Sequence, residues 1–169
     1  NASKPGTYFL TYTHSDVAGN VAQTFTRTVN VLDTTASVIS LNGDSNITQE
    51  AGTAYFDANA IWTDAVDGSG IIHAQGEVDV SSPGVYVLSF NYTDTAGNAA
   101  DTVTRTVTVV DSTVPVITLN GEANVTHEAG RAYFDLNASW SDLVDGYGVV
   151  TGSGEVDVSS PGVYVLSFN

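Results

Sequence analysis

The sequence predicts an all-β protein built from tandem repeats, and three observations carry that prediction. A Pro-Gly step recurs at Pro5, Pro83 and Pro161 (83 − 5 = 78 and 161 − 83 = 78), which is the signature of a 78-residue repeat. After Pro83, large apolar side chains occupy every second position from Tyr86 to Tyr92, as Tyr-x-Leu-x-Phe-x-Tyr. This alternation is typical of a half-buried strand. No segment shows a sustained helical period.

The repeat divides the chain into three parts. Residues 1–32 match the C-terminal hairpin of a first repeat, residues 33–110 form a complete repeat, and residues 111–169 form a third repeat that lacks its last strand. Two interpretations of this arrangement remain open. Either the chain is part of a longer array, or hairpin 1–32 supplies the strand that residues 111–169 of another copy lack.

The first hairpin is predicted from two strands, 7–13 and 21–32, joined by the Asp-Val-Ala-Gly-Asn turn at 16–20. In the complete repeat, Asn42-Gly43 is a strong turn signal between the first two strands. The predicted strands of that repeat span 38–41, 46–50, an irregular 54–63, one or two short strands in 71–80, 85–93 and 99–110. An acidic, glycine-containing loop occupies 64–70.

About seven short strands with regular turn signals predict an immunoglobulin-like (Ig-like) β-sandwich for each repeat. The chain has no cysteine, so the sandwich has no disulfide and depends on its apolar core. We expect Trp62, Tyr86, Phe90 and Val107 to form that core, since each lies on the apolar face of its strand or segment.

The charge balance excludes some classes of partner. The chain carries 19 acidic residues against 4 Lys and Arg, a formal net charge of −15. Such a surface repels nucleic acid phosphates and anionic membranes and attracts cations. No apolar run is long enough to span a bilayer. We therefore expect neither a nucleic acid partner nor membrane insertion.

Several motifs together resemble those of a known family. They are Asp-x-Thr-x-Pro-Val-Ile-Thr-Leu-Asn-Gly at 111–121, Glu-Ala-Gly-x-Ala-Tyr-Phe-Asp at 128–135, Val-Asp-Gly at 144–146, Asp-Thr-Ala-Gly-Asn at 94–98 and Thr-Arg-Thr-Val-Thr-Val at 104–109. The set is similar to bacterial Ig-like repeats of the pesticidal-crystal-protein Ig-like family, with hyalin-repeat domains as relatives. The resemblance implies a secreted or cell-surface protein in which repeats act as spacers, adhesin stalks or modules appended to enzymes, and it implies no catalytic residues.

Acidic residues are predicted to gather at the two poles of each sandwich. If the first strand leaves the N-terminal pole and the second returns to it, Glu50 lies near Asp33, and the turn that begins at Asp94 lies there too. The third segment then places Asp64 and Asp67 at the C-terminal pole, beside the next linker. The candidate metal ligands are Asp33, Glu50, Asp64, Asp67, Asp94, Asp111 and Glu128.

Two interpretations of these acids remain open. Carboxylates that converge without basic partners repel one another unless a cation lies between them, and hard oxygen ligands suit Ca²⁺. Alternatively, the acids cap turns, accept hydrogen bonds from backbone N–H groups and keep the protein soluble. The Asp94 turn in particular can form without a metal, because Gly97 can take a positive φ.

Arg27 and Arg105 occupy one repeated position, on a strand face predicted to be largely buried. A buried arginine needs a carboxylate partner. We therefore predict a structural salt bridge from Arg105 to Asp57 or Asp64, with anion binding as the less favoured alternative.

The sequence predicts a non-enzymatic structural segment: a stalk, spacer or filament of a secreted or cell-surface array, with Ca²⁺ at the domain junctions as its cofactor. Repetition supports this prediction, because a stalk needs length and sameness. The first alternative is a binding module, for a polysaccharide or a surface protein, of a secreted enzyme or adhesin. The second is a self-assembling filament subunit in which copies of the chain exchange strands.

Overall fold

A computed structural model describes residues 4–169, which contain β-strands and no helix. The strands are β1 (Gly6–Tyr12), β2 (Phe25–Val31), β3 (Val38–Leu41), β4 (Asn46–Glu50), β5 (Ala60–Asp64), β6 (Gly68–Ile72), β7 (Gly84–Phe90), β8 (Val103–Val110), β9 (Val116–Leu119), β10 (Ala138–Asp142) and β11 (Gly146–Val150). None of the described residues lies in a helix that is long and apolar enough to cross a membrane.

β1 and β2 form an antiparallel hairpin in which Gly6 pairs with Val31 and Tyr12 with Phe25. The loop between them contains the predicted turn, closed by the hydrogen bond from Gly19 N to Asp16 O (3.1 Å). Gly19 has a φ of 88°, a conformation that favours glycine.

The complete repeat contains two three-stranded sheets, in the orders β3–β5–β6 and β4–β8–β7. Alternate residues of their strands are buried: Ile39, Ala60, Ile72, Leu88, Phe90, Val107 and Val109. This all-β, Ig-like sandwich confirms the predicted fold class. It has six named strands rather than about seven, because residues 73–80 contribute only the isolated bridge between Gln75 and Ser89. Among the predicted core residues, Phe90 and Val107 are fully buried, whereas Trp62 and Tyr86 are half-buried.

One prediction about the path of the chain was wrong: β4 does not return beside β3. The hydrogen bonds from Thr106 N to Ser45 O and from Ala51 N to Val110 O show that residue numbers rise together in β4 and β8, so these strands are parallel. The chain at Asn42-Gly43 passes from one sheet to the other without reversing its direction. The end of β4 therefore lies at the pole where β8 ends.

The chain forms two compact units. Unit 1 consists of residues up to Ile47, Phe56–Val78 and Val85–Val107, and unit 2 consists of Thr48–Tyr55, Asp79–Gly84 and Thr108–Asn169. Within unit 2, the sheet β11–β10–β9 pairs Val116 with Ser141, just as Val38 pairs with Thr63 in β3 and β5 of unit 1. The repeat boundaries at residues 33 and 111 stay a prediction.

Candidate metal centre

Three carboxylates converge in unit 1. Asp33 follows β2, Asp64 ends β5 and Asp94 opens the turn after β7. One oxygen from each lies within 4.8 Å of the other two. The topology causes this, because β5 is antiparallel to β3 and therefore ends beside the linker from which β3 starts.

Local turns hold these three side chains in place. Asp33 Oδ1 accepts a hydrogen bond from Thr35 N (3.2 Å), and Asp64 Oδ1 accepts one from Val66 N (2.7 Å). Asp94 Oδ1 accepts a bond from the Asn98 backbone N–H (2.7 Å). Asp33 Oδ2 is different: it is buried and accepts no hydrogen bond from the residues that the structure describes. A buried carboxylate oxygen without a donor is costly unless a cation compensates it.

The surroundings of this triad are strongly negative. Within residues 4–169, no Lys or Arg forms a salt bridge with a triad member. Burial, followed by the charges of Asp67, Asp94 and Asp64, raises the pKa of the Tyr92 phenol above its ordinary value. The Tyr92 ring stacks on the Trp62 indole, with centroids 4.2 Å apart. Trp62 fluorescence should therefore respond to a cation at the triad.

Asp94 is buried, with only 6% of the residue exposed. Burial acts to raise the pKa of Asp94, but hydrogen bonds from the Asn98 side chain and from backbone N–H groups outweigh it and lower the pKa overall. The Asn98 side chain also donates to the Thr35 carbonyl (3.2 Å). The same turn thus lowers the pKa of Asp94 and ties this residue to the linker that carries Asp33.

A second triad of Asp111, Asp142 and Asp145 lies in unit 2. Asp111 and Asp142 stand 78 positions after Asp33 and Asp64. Their local bonds are the same: Asp111 Oδ1 accepts from Thr113 N (3.2 Å) and Asp142 Oδ1 from Val144 N (2.7 Å). The two triads therefore share two equivalent members, whereas the third differs, because Asp145 corresponds to Asp67 and not to Asp94.

Glu50 lies beside the second linker, within unit 2. Its carboxylate accepts hydrogen bonds from the backbone N–H (2.9 Å) and the hydroxyl (2.8 Å) of Ser112. These bonds lower the pKa of Glu50 below its ordinary value. Ser112 directly follows Asp111, so the side chain at the end of β4 is anchored next to the second triad.

The structure corrects the predicted pole of three acids. Asp64 lies with Asp33, and Asp67 lies nearby, because its carboxylate accepts a hydrogen bond from Thr95 N (2.8 Å). Glu50 lies at the opposite end of the sandwich from the one predicted. The single cause is the parallel course of β3 and β4, which was taken for a reversal.

Two members of the second triad, Asp142 and Asp145, were missed by the sequence reasoning. The repeat itself could have found them, since they stand 78 positions after Asp64 and Asp67. Glu128 belongs to neither triad and is exposed.

Arg105 is 1% exposed and pairs with Asp57, one of its two predicted partners, whereas Asp64 belongs to the triad. The Arg105 Nε donates to the Asp44 carbonyl (2.9 Å), and a terminal nitrogen donates to the Asn42 carbonyl (2.5 Å). The guanidinium thus fastens β8 to the segment where the chain changes sheets. These contacts fit the predicted structural role of Arg105.

Comparison with known proteins places this architecture among surface proteins. Residues 39–109 match the model of the Ig-like domain of bacterial surface proteins. The chain is 34% identical over 134 residues to hyalin of Strongylocentrotus purpuratus, covering 70% of this chain and 11% of hyalin. It is 38% identical over 122 residues to hyalin of Lytechinus variegatus, covering 68% of this chain and 23% of that protein.

Among solved structures, a lipoprotein from Bacteroides thetaiotaomicron is 28% identical, with a TM-score of 0.39, over 46% of this chain and 39% of the lipoprotein. The sequence matches establish a relationship to Ig-like and hyalin repeats. They also confirm the predicted secreted or cell-surface location. The chain spans less than a quarter of the length of either hyalin.

Proposed function

We propose that this chain is a non-enzymatic structural segment of a secreted or cell-surface protein, in which Ig-like repeats form a stalk, spacer or filament stiffened by Ca²⁺. Its partners are then neighbouring repeats and other copies of the protein. Within the Ig-like repeats, its motifs favour the pesticidal-crystal-protein Ig-like family.

The observation that carries this proposal is that each unit contains a carboxylate triad, and that two members of the first triad, Asp33 and Asp64, recur in the second as Asp111 and Asp142. Asp33, Asp64 and Asp94 would hold one ion, and Asp111, Asp142 and Asp145 a second. Carboxylates and backbone carbonyls are the ligands that Ca²⁺ prefers, with six to eight oxygens. An ion would supply the missing partner of Asp33 Oδ2 and offset the repulsion among the acids.

Asp67 and Glu50 have a supporting role in this proposal. Asp67 is held by both the N–H and the hydroxyl of Thr95, and Glu50 by both donors of Ser112. Each acid therefore fixes a loop or linker next to a triad. An ion bound at a triad would hold the linker against the loop beside that triad. This would stiffen the linker, as a stalk requires.

Calcium titration of the whole chain tests this proposal. Ca²⁺ that binds only the native state stabilises it by about 2.7 kcal/mol at a hundredfold excess over Kd, so the thermal midpoint should rise relative to chelator. In a Trp140→Phe background, Trp62 fluorescence should change in the same titration, since Trp62 stacks on Tyr92.

Matched variants separate a site from a general charge effect. Asp64→Asn should abolish the fluorescence response, whereas Asp101→Asn, an exposed acid outside both triads, should retain it. An unchanged thermal midpoint in Ca²⁺, or an equal response from both variants, would exclude the calcium site.

One observation favours the binding module as a second candidate. Phe56 and Phe134 occupy equivalent positions and are 88% and 83% exposed. Large exposed apolar side chains at one position of both repeats that contain it favour a protein partner. Trp62 is unsuited as a sugar platform, because it is stacked on Tyr92. Replacing both phenylalanines with serine should abolish adhesion to a surface protein without changing the thermal midpoint, and unchanged adhesion would remove this candidate.

A further inference from the structure

Ser37, directly before β3, is a buried polar residue whose hydroxyl has no partner within the fold. The residue is 4% exposed, and its Oγ makes no hydrogen bond to any residue that the structure describes. Within residues 4–169, Asp33 Oδ2 is the one other buried side-chain oxygen or nitrogen without a partner. A buried polar atom without a partner is destabilising. Two of them in the segment that leads into β3 therefore point to a shared ligand.

The register of β3 and β5 sets Ser37 opposite Asp64. Val38 pairs with Thr63 in this antiparallel pair, so the next position outward joins Ser37 to Asp64. Residues directly opposite each other point to the same face of a sheet, with Cβ atoms about 4.5–5.5 Å apart. That face is the inner one, because Ser37 and Ile39 are buried whereas Val38 between them is exposed. The Ser37 side chain thus lies on the face of the first triad.

A cation at the first triad accounts for both unpartnered oxygens. The three carboxylates have oxygens within 4.8 Å of one another, and Ca²⁺, which binds oxygens at about 2.3–2.6 Å, joins oxygens up to about 5 Å apart. A neutral hydroxyl adds a ligand without adding to the repulsion among the carboxylates. Its lone pair would face the ion, while its hydrogen is donated to a neighbouring carboxylate oxygen.

A buried water is the alternative ligand. It would accept a hydrogen bond from the Ser37 hydroxyl and donate one to Asp33 Oδ2, which satisfies both atoms. A water is neutral, however, and leaves the repulsion among the three carboxylates uncompensated. In the part of the chain that the structure describes, no salt bridge to the triad offsets that repulsion. The charge of the site therefore favours a cation over a water.

We propose that the Ser37 hydroxyl is a direct, neutral ligand of Ca²⁺ at the first triad. This inference rests on the proposed function and adds a ligand of a different chemical type to that site. The residue 78 positions later is Pro115, which has no side-chain oxygen. The hydroxyl ligand therefore belongs to the first triad and has no counterpart at the second.

Eu³⁺ luminescence tests this inference, because Eu³⁺ replaces Ca²⁺ at oxygen sites and its lifetimes in H₂O and D₂O count the bound waters. Asp142→Asn is present in every chain, so that the second triad does not contribute. In Ser37→Ala, a water should replace the hydroxyl, and the number of bound waters should rise. Ca²⁺ affinity, measured by calorimetry in the same chains, should fall at least about tenfold, as when a partner of a metal ligand is removed.

Two controls separate a ligand from a residue that only fills space. Ser37→Cys keeps nearly the volume of serine but offers a soft sulfur, which Ca²⁺ does not favour. It should therefore weaken Ca²⁺ binding as Ser37→Ala does. Ser40→Ala removes an exposed hydroxyl from the same strand and should bind Ca²⁺ like the parent chain.

Thermal unfolding gives a second readout, in which the effect of Ser37→Ala depends on the ion. In chelator, this variant should unfold at the same temperature as the parent or at a higher one, because an unpaired buried hydroxyl is gone. In Ca²⁺ it should unfold at a lower temperature than the parent, because it binds the ion less tightly. A loss in chelator as large as the loss in Ca²⁺ would show that Ser37 acts through packing alone and would overturn the inference.

The outcomes also distinguish this inference from the function on which it rests. A parent chain that binds neither ion contradicts both. If the parent binds Ca²⁺ and Ser37→Ala equals it in affinity and in bound waters, Ser37 is not a ligand, whereas the calcium site stands. Binding by Ser37→Cys at the parent affinity would also overturn the ligand role, since volume and not oxygen would then be what the site requires.

Discussion

Two stretches of this molecule have the same sequence and different structures. Residues 76–91 and 154–169 both read Gly-Glu-Val-Asp-Val-Ser-Ser-Pro-Gly-Val-Tyr-Val-Leu-Ser-Phe-Asn. The first contains β7, with Leu88 3% and Phe90 0% exposed. In the second, Leu166 and Phe168 are half-buried, and the segment forms only the bridge between Ser153 and Ser167.

The difference comes from the neighbouring strand. β7 has β8 beside it, whereas no strand within residues 111–169 stands next to 162–168. Strand propensity is identical in the two copies, so it cannot be the cause. Cross-strand pairing and burial against a neighbour stabilise a strand. Within residues 4–169, the first copy has β8 as such a neighbour, whereas the second has the single bridge to Ser153.

The largest effect should come from replacing Arg105, which is buried in β8. Arg27 occupies the equivalent position in β2 and is exposed. Arg105→Met leaves Asp57 buried without its cation and should cost about 3–5 kcal/mol. Arg27→Met, at the equivalent exposed position, should cost less than about 0.5 kcal/mol. Urea unfolding, monitored by Trp62 fluorescence in a Trp140→Phe background, measures both unfolding costs. The double variant Arg105→Met with Asp57→Leu should recover most of the loss, and equal costs for the two arginines would contradict the comparison.

Truncating the same leucine in both copies tests the role of burial directly. Leu88→Ala should cost about 2–5 kcal/mol, since it opens a cavity in a closed core. Leu166→Ala should cost about 1 kcal/mol or less, because the Leu166 side chain is only half-buried. Trp62 reports on unit 1 and Trp140 on unit 2, each in a background where the other is Phe. A larger loss for Leu166→Ala than for Leu88→Ala would contradict the link between burial and cost.

The second and third repeats each contain a close contact between a tryptophan and a glycine, and replacing the glycine should cost the same in both. A methyl group at Gly70 would lie 2.6 Å from Trp62 Nε1, and one at Gly148 would lie 2.5 Å from Trp140 Nε1. Gly70→Ala and Gly148→Ala should therefore each cost about 1–3 kcal/mol through overpacking. Thermal unfolding with Ser69→Ala as the control measures this. Unequal costs would mean that β8 also affects how tightly the β5–β6 pair packs in the complete repeat.

The smallest effect concerns pH and the two Asp-x-Ala-Gly-Asn turns. Hydrogen bonds from Asn20 lower the pKa of Asp16, and those from Asn98 lower the pKa of Asp94 against the effect of burial. A carboxyl group with a lowered folded-state pKa stabilises the fold above its ordinary value of 3.8, and this contribution is lost as the pH falls below it. The thermal midpoint in chelator should therefore drop between about pH 5 and pH 2.

Asp94→Asn should flatten that pH dependence more than Asp16→Asn, because Asp94 is buried and its turn is tied to the linker through Asn98. Identical profiles for the two variants would remove the distinction between the turns.

Much of the fold could be predicted from local patterns. The strand β3 begins and ends at the predicted residues, as does β4, because short apolar runs bounded by turn residues leave few alternatives. The boundaries of β5 were not predictable, because in residues 54–59 the hydrogen bond between Asp57 and Asn59, which has a φ of 65°, replaces sheet pairing.

The composition of the candidate site could be predicted only in part. Asp33, Asp64 and Asp94 were all named as ligands, yet Asp64 was assigned to the wrong pole. An Asn-Gly step can close a hairpin or redirect a strand, and the local sequence is compatible with both. The pairing partner of β4 decides between them, and that partner is β8, more than 50 residues away in the chain.

By itself, the sequence determined the repeat, the all-β composition, the alternating strand faces, the acidic surface and the paired arginine positions. These follow from residue periodicity and charge, which need no knowledge of what lies beside each residue. The tertiary structure decided which carboxylates meet, which arginine is buried, and whether Gly-Val-Tyr-Val-Leu-Ser-Phe becomes a strand. Each of these depends on a distant segment, because a strand is completed only by its neighbour.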